Sequence, residues 1–216
     1  MFFSIIPTSS IAPHTYAVQD KYVNFFLYQN KENTICFDAG INPIRIRAEL
    51  QKIKIAPEKI THIFLTHSDK DHVGGLSLFH YAHLYLPELE VPMITGERKR
   101  ALFSKNPNIA RDYFTIADDE IFQIGTVEIK AISTPGHTPG SMSYLVNNEM
   151  LMAGDTIQLK KNRATIGYSF LSMDKSQQRN SLKKLAHLEN IKLLNTAHSG
   201  LTHDFELVMK KWKYTR

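Results

Sequence analysis

The chain has one cysteine, Cys36, so it can form no internal disulfide, and an isolated thiol suits a reducing compartment. Cys36 precedes Phe37-Asp38-Ala39-Gly40 on an expected strand and reads as a buried, inert thiol. No apolar run approaches the roughly 20 residues that a membrane-crossing helix needs. The stretch from Met1 to Pro13 lacks a basic start and is broken by Pro7 and Pro13, which argues against a secretory signal and places the chain in the cytoplasm. There is no internal repeat and no low-complexity tract. Basic residues exceed acidic ones by only 26 to 21, for a net charge of +5 and a pI near 9.2, an excess that usually marks a solvated surface and gives little ground for a nucleic-acid partner. Hydrophobic content of 43% and charged content of 22% are those of an ordinary globular protein, and 216 residues suffice for one well-buried unit, so a single domain over 1–216 is expected.

What is present is a dense run of metal-capable side chains, Thr66-His67-Ser68-Asp69-Lys70-Asp71-His72-Val73-Gly74-Gly75. It follows Ile60 to Leu65, a short, apolar, partly β-branched stretch that reads as a buried strand. His67 and Asp69 lie two apart and share one face of extended backbone. Asp71 and His72 are adjacent and come as the chain enters a helix expected over Val73 to His80, so they diverge toward a neighbouring point. Alone, such a loop is also what a solvated acidic turn looks like. Three further turns after apolar strands shift the reading: Pro135-Gly136-His137-Thr138-Pro139-Gly140, Ala153-Gly154-Asp155-Thr156 and Thr196-Ala197-His198-Ser199-Gly200. Small residues beside each candidate ligand let the backbone turn tightly and approach an ion.

In order and spacing these motifs resemble the metallo-β-lactamase fold hydrolases, whose pattern is His-x-His-x-Asp-His, then His, Asp and His; the likeness runs from about Phe25 to Gly200. It implies an α/β fold, a four-layer αββα sandwich. It also implies His67, Asp69 and His137 around one metal, Asp71, His72 and His198 around a second, and Asp155 bridging. Two divalent ions, zinc by default, would then share a bridging hydroxide as nucleophile, with Asp71 at the catalytic centre. The chain departs from the family at Asp69, which stands where a histidine is usual. A carboxylate is harder than imidazole and negatively charged, so this position is expected to favour manganese or iron. Asp38 resembles the acidic strand-end residue that orients a metal-binding histidine in relatives; Thr66 and Ser68 are read as backbone caps. His62, His80, His83, His187 and His203 carry no metal role in this reading, and His14 belongs to a surface loop.

Coarse patterning gives a hairpin from Tyr22–Tyr28 and Thr34–Phe37, and a helix from Pro43 to about Ile53 with Ile44, Ala48 and Ile55 on related faces. A segment over 84–114 reads as decoration above the sheet around a basic helix, Gly96 to Lys105. Strands follow within 121–132, 141–146 and 150–153, then a helix capped by Asp174 with Leu182, Leu185 and Leu188 inward, a strand over 192–196 and a terminal helix from Asp204.

The expected activity is hydrolysis of a small ester, thioester, lactone or phosphodiester. A β-lactam is disfavoured by the missing export signal, and a resemblance to the hydroxyacylglutathione hydrolases is incomplete, since only Leu201 to Arg216 follow the last motif where that family adds a helical domain. The alternatives are iron-dependent redox chemistry on the same fold and a nuclease acting on DNA or RNA. Between Asp155 and His198 lie Lys160, Lys161, Arg163, Tyr168 and Phe170, cations joined by aromatics, which would suit a small anionic substrate with an apolar body; a solvated basic loop fits them equally well.

Overall fold

In the computed structural model, residues 3–100, 105–167 and 171–214 are described. The first half of the chain forms a seven-stranded sheet in simple sequential order: β1 (Ser9–Ala12), β2 (Thr15–Asp20), β3 (Val23–Gln29), β4 (Thr34–Phe37), β5 (Ile60–Phe64), β6 (His83–Pro87) and β7 (Phe114–Ile116). β1 to β4 are antiparallel, whereas β4 to β7 run parallel and need crossovers. The first crossover is α1 (Pro43–Lys52), started by Asn42, whose side chain accepts the Arg45 N–H. The next contains α2 (Lys70–Val73), and the last contains α3 (Val91–Thr95).

The second half supplies β8 (Ile121–Ile124), β9 (Val127–Ser133), β10 (Met142–Val146) and β11 (Met150–Met152). A small separate hairpin, β12 (Gln158–Leu159) and β13 (Ala164–Thr165), precedes α4 (Lys175–Ala186), β14 (Leu193–Thr196), β15 (Gly200–Thr202) and α5 (Phe205–Tyr214). The second sheet has the order β15-β14-β11-β10-β9-β8.

Period-two alternation sorts the apolar residues into three layers of core. On β3, Phe25 and Leu27 face α1 together with Ile46 and Leu50, while Phe26 and Tyr28 face the second sheet. On β10, Tyr144 and Val146 meet that inter-sheet layer, and Leu145 turns outward to Leu182 and Leu185 of α4 and to Phe205 and Trp212 of α5. The result is the expected αββα sandwich, closed on both outer faces by helices.

Several local expectations are corrected. On α1 the inward stripe is Ile46 and Leu50; Ile44 is 84% exposed and Ala48 is exposed, because the face toward the core lies two positions along from the expected one. The helix expected over Val73–His80 is the single turn α2, which gives way at Gly74-Gly75 to a short 3-10 turn, Leu76–Leu78. Among the described residues of the expected basic helix no helical turn is present: α3 gives way at Gly96, and 97–100 and 105 are irregular, while 101–104 lie outside the described residues. Nor is 84–114 only decoration, since β6 belongs to the first sheet and buries Leu84 and Leu86, and the segment ends at the first residue of β7. Among the described residues no helix is long and apolar enough to cross a membrane.

Candidate metal centre

The motif turns leave β4, β5, β9, β11 and β14 and are laced together along one rim of the sandwich. The Ala39 N–H donates to the His72 carbonyl at 2.7 Å, the Met142 N–H to the Thr66 carbonyl at 2.8 Å, and the Ala197 N–H to the Gly154 carbonyl at 3.2 Å. Two glycines make this closeness feasible. A Cβ on Gly154, whose φ is +50°, would lie 2.6 Å from Thr66 Oγ1, and one on Gly136, at φ +135°, would lie 2.2 Å from the Gln178 backbone nitrogen.

Three of the four imidazoles are oriented through Nδ1. His72 Nδ1 lies 2.7 Å from Asp38 Oδ2, and His198 Nδ1 lies 2.8 Å from the Tyr22 carbonyl oxygen. Neither partner can donate, so Nδ1 keeps a proton and Nε2 is the nitrogen that offers a lone pair inward once the ring gives up its second proton. Thr66 Oγ1 gives its hydrogen to Asp38, 2.9 Å from Oδ2, and so accepts from His67 Nδ1 at 3.0 Å. Asp38 therefore touches the histidine its position suggested; it sits at φ +68°, a left-handed conformation that an aspartate tolerates better than most residues. Thr66 is more than a cap, because it relays Asp38 to His67.

Seven side chains come together. His137 Nε2 is 3.2 Å from Asp69 Oδ2, and His67 Nε2 is 3.5 Å from the same oxygen. On the other side His198 Nε2 is 3.3 Å from Asp71 Oδ2, and His72 Nε2 is 3.9 Å from it. Asp155 lies between: Oδ1 is 3.2 Å from His198 Nε2 and 3.5 Å from His72 Nε2, while Oδ2 is 3.4 Å from His137 Nε2. His67, Asp69 and His137 form one group able to hold an ion, and Asp71, His72 and His198 another. Three buried atoms, His67 Nε2, His72 Nε2 and Asp155 Oδ1, have no hydrogen-bond partner. An unpartnered buried polar atom costs about 1–3 kcal/mol, so three at one point fit donors arranged for a cation.

The charges agree. Burial works against ionising Asp155, but His198, His72 and His137 hold its carboxyl well below the ordinary range. Burial likewise opposes ionising Asp69, which His137 and His67 nevertheless keep far below that range. His198 is pushed up to about 10, its burial outweighed by Asp155 and Asp71. His137 is lowered, chiefly by burial, and stays neutral.

Several residues near the centre were not evident from the sequence. Arg100 pairs with Asp69, and Asn106 Nδ2 reaches Asp69 Oδ1 at 3.2 Å. Buried Glu90 joins two turns by accepting from Ser68 N–H at 2.8 Å, from the Ser68 hydroxyl, and from Thr138 Oγ1 at 2.6 Å. A cleft of about 300 Å³ opens over the cluster, with Phe3, Tyr22, Ile157 and Leu171 as its apolar lining. Phe3 stacks on Tyr22, and both rings lie beside His198, so an N-terminal segment does reach the site, although His14 does not: it packs on Tyr28. Of the expected substrate contacts, Lys160, Lys161 and Arg163 are exposed at the hairpin tip and do not line the cleft; Tyr168 and Phe170 lie outside the described residues. Among the described residues the lysine or arginine that lines it is Arg100.

A sequence model of the Metallo-beta-lactamase superfamily matches residues 18–198. Among curated relatives, the "Hydroxyacylglutathione hydrolase" of Bartonella henselae is 32% identical over 169 residues, covering 77% of this chain and 60% of the relative. "Glyoxylase B2" of Dictyostelium discoideum is 29% identical over 150 residues, covering 65% of this chain and 47% of the relative. The chain thus spans less than two thirds of the length of these relatives. In structure it superposes on the Rm3 metallo-beta-lactamase with a TM-score of 0.74 at 19% identity, covering 98% of this chain and 91% of that one, a likeness of fold.

Proposed function

The chain belongs to the metallo-beta-lactamase superfamily, and from that premise we propose that it is a metal-dependent hydrolase of a small thioester. The observation that carries the reading is the set of buried, unpartnered donors, His67 Nε2, His72 Nε2 and Asp155 Oδ1, of which Asp155 lines a cleft walled by Phe3, Tyr22, Ile157 and Leu171. Two divalent ions would be held there, one by Asp71, His72 and His198 and one by His67, Asp69 and His137, with Asp155 common to both. When bound, such ions supply Lewis-acid polarisation of a carbonyl and acidify a water molecule. Zinc suits the imidazole-rich donor set; manganese or iron suits the side that contains Asp69.

The chain's own groups do the rest. Asp38 and the Tyr22 carbonyl hold His72 and His198 in the tautomer that offers Nε2. Burial opposes ionising Asp71, but His72 and His198 keep it below the usual carboxylate range, so it is available as a proton acceptor at the cleft floor. The apolar wall gives the acyl body a dry surface, and the two relatives named for hydroxyacylglutathione and glyoxylase activity favour the thioester within the ester group.

The test is metal content per chain of protein from a metal-replete culture, followed by assay against thioesters, lactones, aryl esters and bis-aryl phosphodiesters. Thioester cleavage that disappears on chelation and returns with added ions is expected; a loaded protein inactive toward the whole panel would overturn the reading.

A further inference from the structure

The two cation positions are not equivalent in what else competes for their donors. Arg100 Nε donates to both oxygens of Asp69 at 2.9 Å, and its Nη2 donates to His137 Nε2 at 3.2 Å and to the Leu171 carbonyl. Asn106 adds a bond to Asp69 Oδ1. Two of the three donors in the His67, Asp69 and His137 group are therefore already facing a guanidinium. Among the described residues no lysine or arginine pairs with Asp71 or Asp155.

Charge explains why an arginine belongs here. An aspartate where an imidazole is usual adds one negative charge, and a guanidinium, permanently protonated, returns the group to the net charge of three neutral histidines. The same fork blocks the ion's approach, because Nε and Nη2 point at the lone pairs an ion would use.

We propose that Arg100 is an internal competitor for the ion at the His67, Asp69 and His137 group, so that the Asp71, His72 and His198 group fills first and the other fills only when the guanidinium withdraws. The proposal rests on the metal-dependent reading above. If Arg100 is seated in nine molecules of ten, the apparent affinity of that position falls about tenfold, since only the open fraction can bind. Because Arg100 also holds the Leu171 carbonyl, filling the second position releases one contact between the centre and the segment along the cleft.

Metal-free chain titrated with manganese, and separately with zinc, by calorimetry should bind in two steps, about one ion tightly and a second at least about tenfold more weakly. Metals per chain after dialysis against a weak chelator provide an independent count, near one. Arg100→Met should merge the steps and raise the retained count toward two. Asp69→His, which removes the guanidinium's anchor and restores the usual ligand, should do the same and serves if Arg100→Met does not fold, as judged by thermal unfolding of the metal-free chain. Steps that stay separate in both variants, or a second ion weakened by Arg100→Met, overturn the competitor role. Two equal sites in the unaltered chain overturn it and leave the hydrolase reading standing, whereas no tight ion at all removes that reading as well.

Discussion

The two halves of the centre share Asp155 and the same residue types, yet their surroundings differ. Around Asp71, His72 and His198 the contacts come from behind: Asp38 and the Tyr22 carbonyl fix the rings and leave the inward faces open. Around His67, Asp69 and His137 the contacts come from the front, where Arg100 and Asn106 engage the donor atoms themselves. Ligand identity sets what a group can bind; competition for its lone pairs sets when it binds. The largest expected effect follows from this asymmetry. His72→Ala or His198→Ala should abolish the tight ion and lower kcat/KM for a cleaved thioester by about a thousandfold, roughly 4 kcal/mol of lost transition-state stabilisation. His137→Ala should cost clearly less, because that position is the one already shared with Arg100. Equal losses in the three variants, measured by metal content and steady-state kinetics, would break the comparison.

A tenfold to hundredfold effect is expected one layer out. Asp38→Asn keeps the volume but offers one acceptor oxygen in place of two to His72 and Thr66, and loss of such a supporting carboxylate typically costs about 10–100-fold in metal affinity. The tight step of a calorimetric titration should weaken more than the loose one. If only the loose step moves, Asp38 serves His67 through Thr66 rather than His72.

pH separates the halves further. In the metal-free chain His198 is held up to about 10 by Asp155 and Asp71 against its burial, and His72 is raised for the same kind of reason, by Asp38 and Asp155. His137 is lowered by burial and is already neutral at pH 7. Loading the His198 side must therefore expel protons at any pH below about 10, and its apparent affinity should rise with pH, while proton release at His137 is absent. Titrations in two buffers of different ionisation enthalpy report the protons released. For stability the sign is that of a raised histidine: the His198 contribution is complete below its unfolded pKa near 6.5 and is lost as pH rises through about 10. The melting temperature of the metal-free chain should accordingly fall between about pH 6.5 and 10, the span between the unfolded and folded values. A flat profile would show that His198 is not protonated there.

How legible the centre was depends on the range over which each part is specified. The ligand turns could be read because each is a local device: a strand end, a small residue, a donor. Alternation along Val23–Gln29 and Met142–Val146 likewise announced strands, since one residue in two serves each core. Arg100 and Glu90 could not be found this way. Glu97-Arg98-Lys99-Arg100 and Lys160-Lys161-Asn162-Arg163 are similarly basic, and nothing within either segment says which one faces the cleft. The answer lies in distant contacts. Asp69 draws Arg100 inward, while the hairpin is held at its base by the Trp212 indole, which donates to the Ala164 carbonyl at 2.7 Å, and its tip, with Lys161 and Asn162 in left-handed conformation, turns to solvent. Phe3 and Tyr22 are similar cases, brought to His198 by the Ser4 N–H on the His198 carbonyl and the Asn24 N–H on the Ala197 carbonyl.

The smallest expected effect tests that distinction between two basic segments. Lys160→Glu combined with Lys161→Glu and Arg163→Glu reverses three charges at an exposed hairpin tip outside the cleft lining. Solvated charges act on a cleft only through a field that salt damps over about 8 Å at physiological ionic strength. The ratio of kcat/KM for anionic over neutral thioesters with one leaving group should therefore change by less than about twofold, and that residue should vanish in added salt. A contact would behave otherwise, since a lost ion pair to a bound substrate persists at moderate salt and appears in KM. A salt-resistant drop of about tenfold, near 1.4 kcal/mol, would mean that the hairpin closes over bound substrate and meets it alongside Arg100.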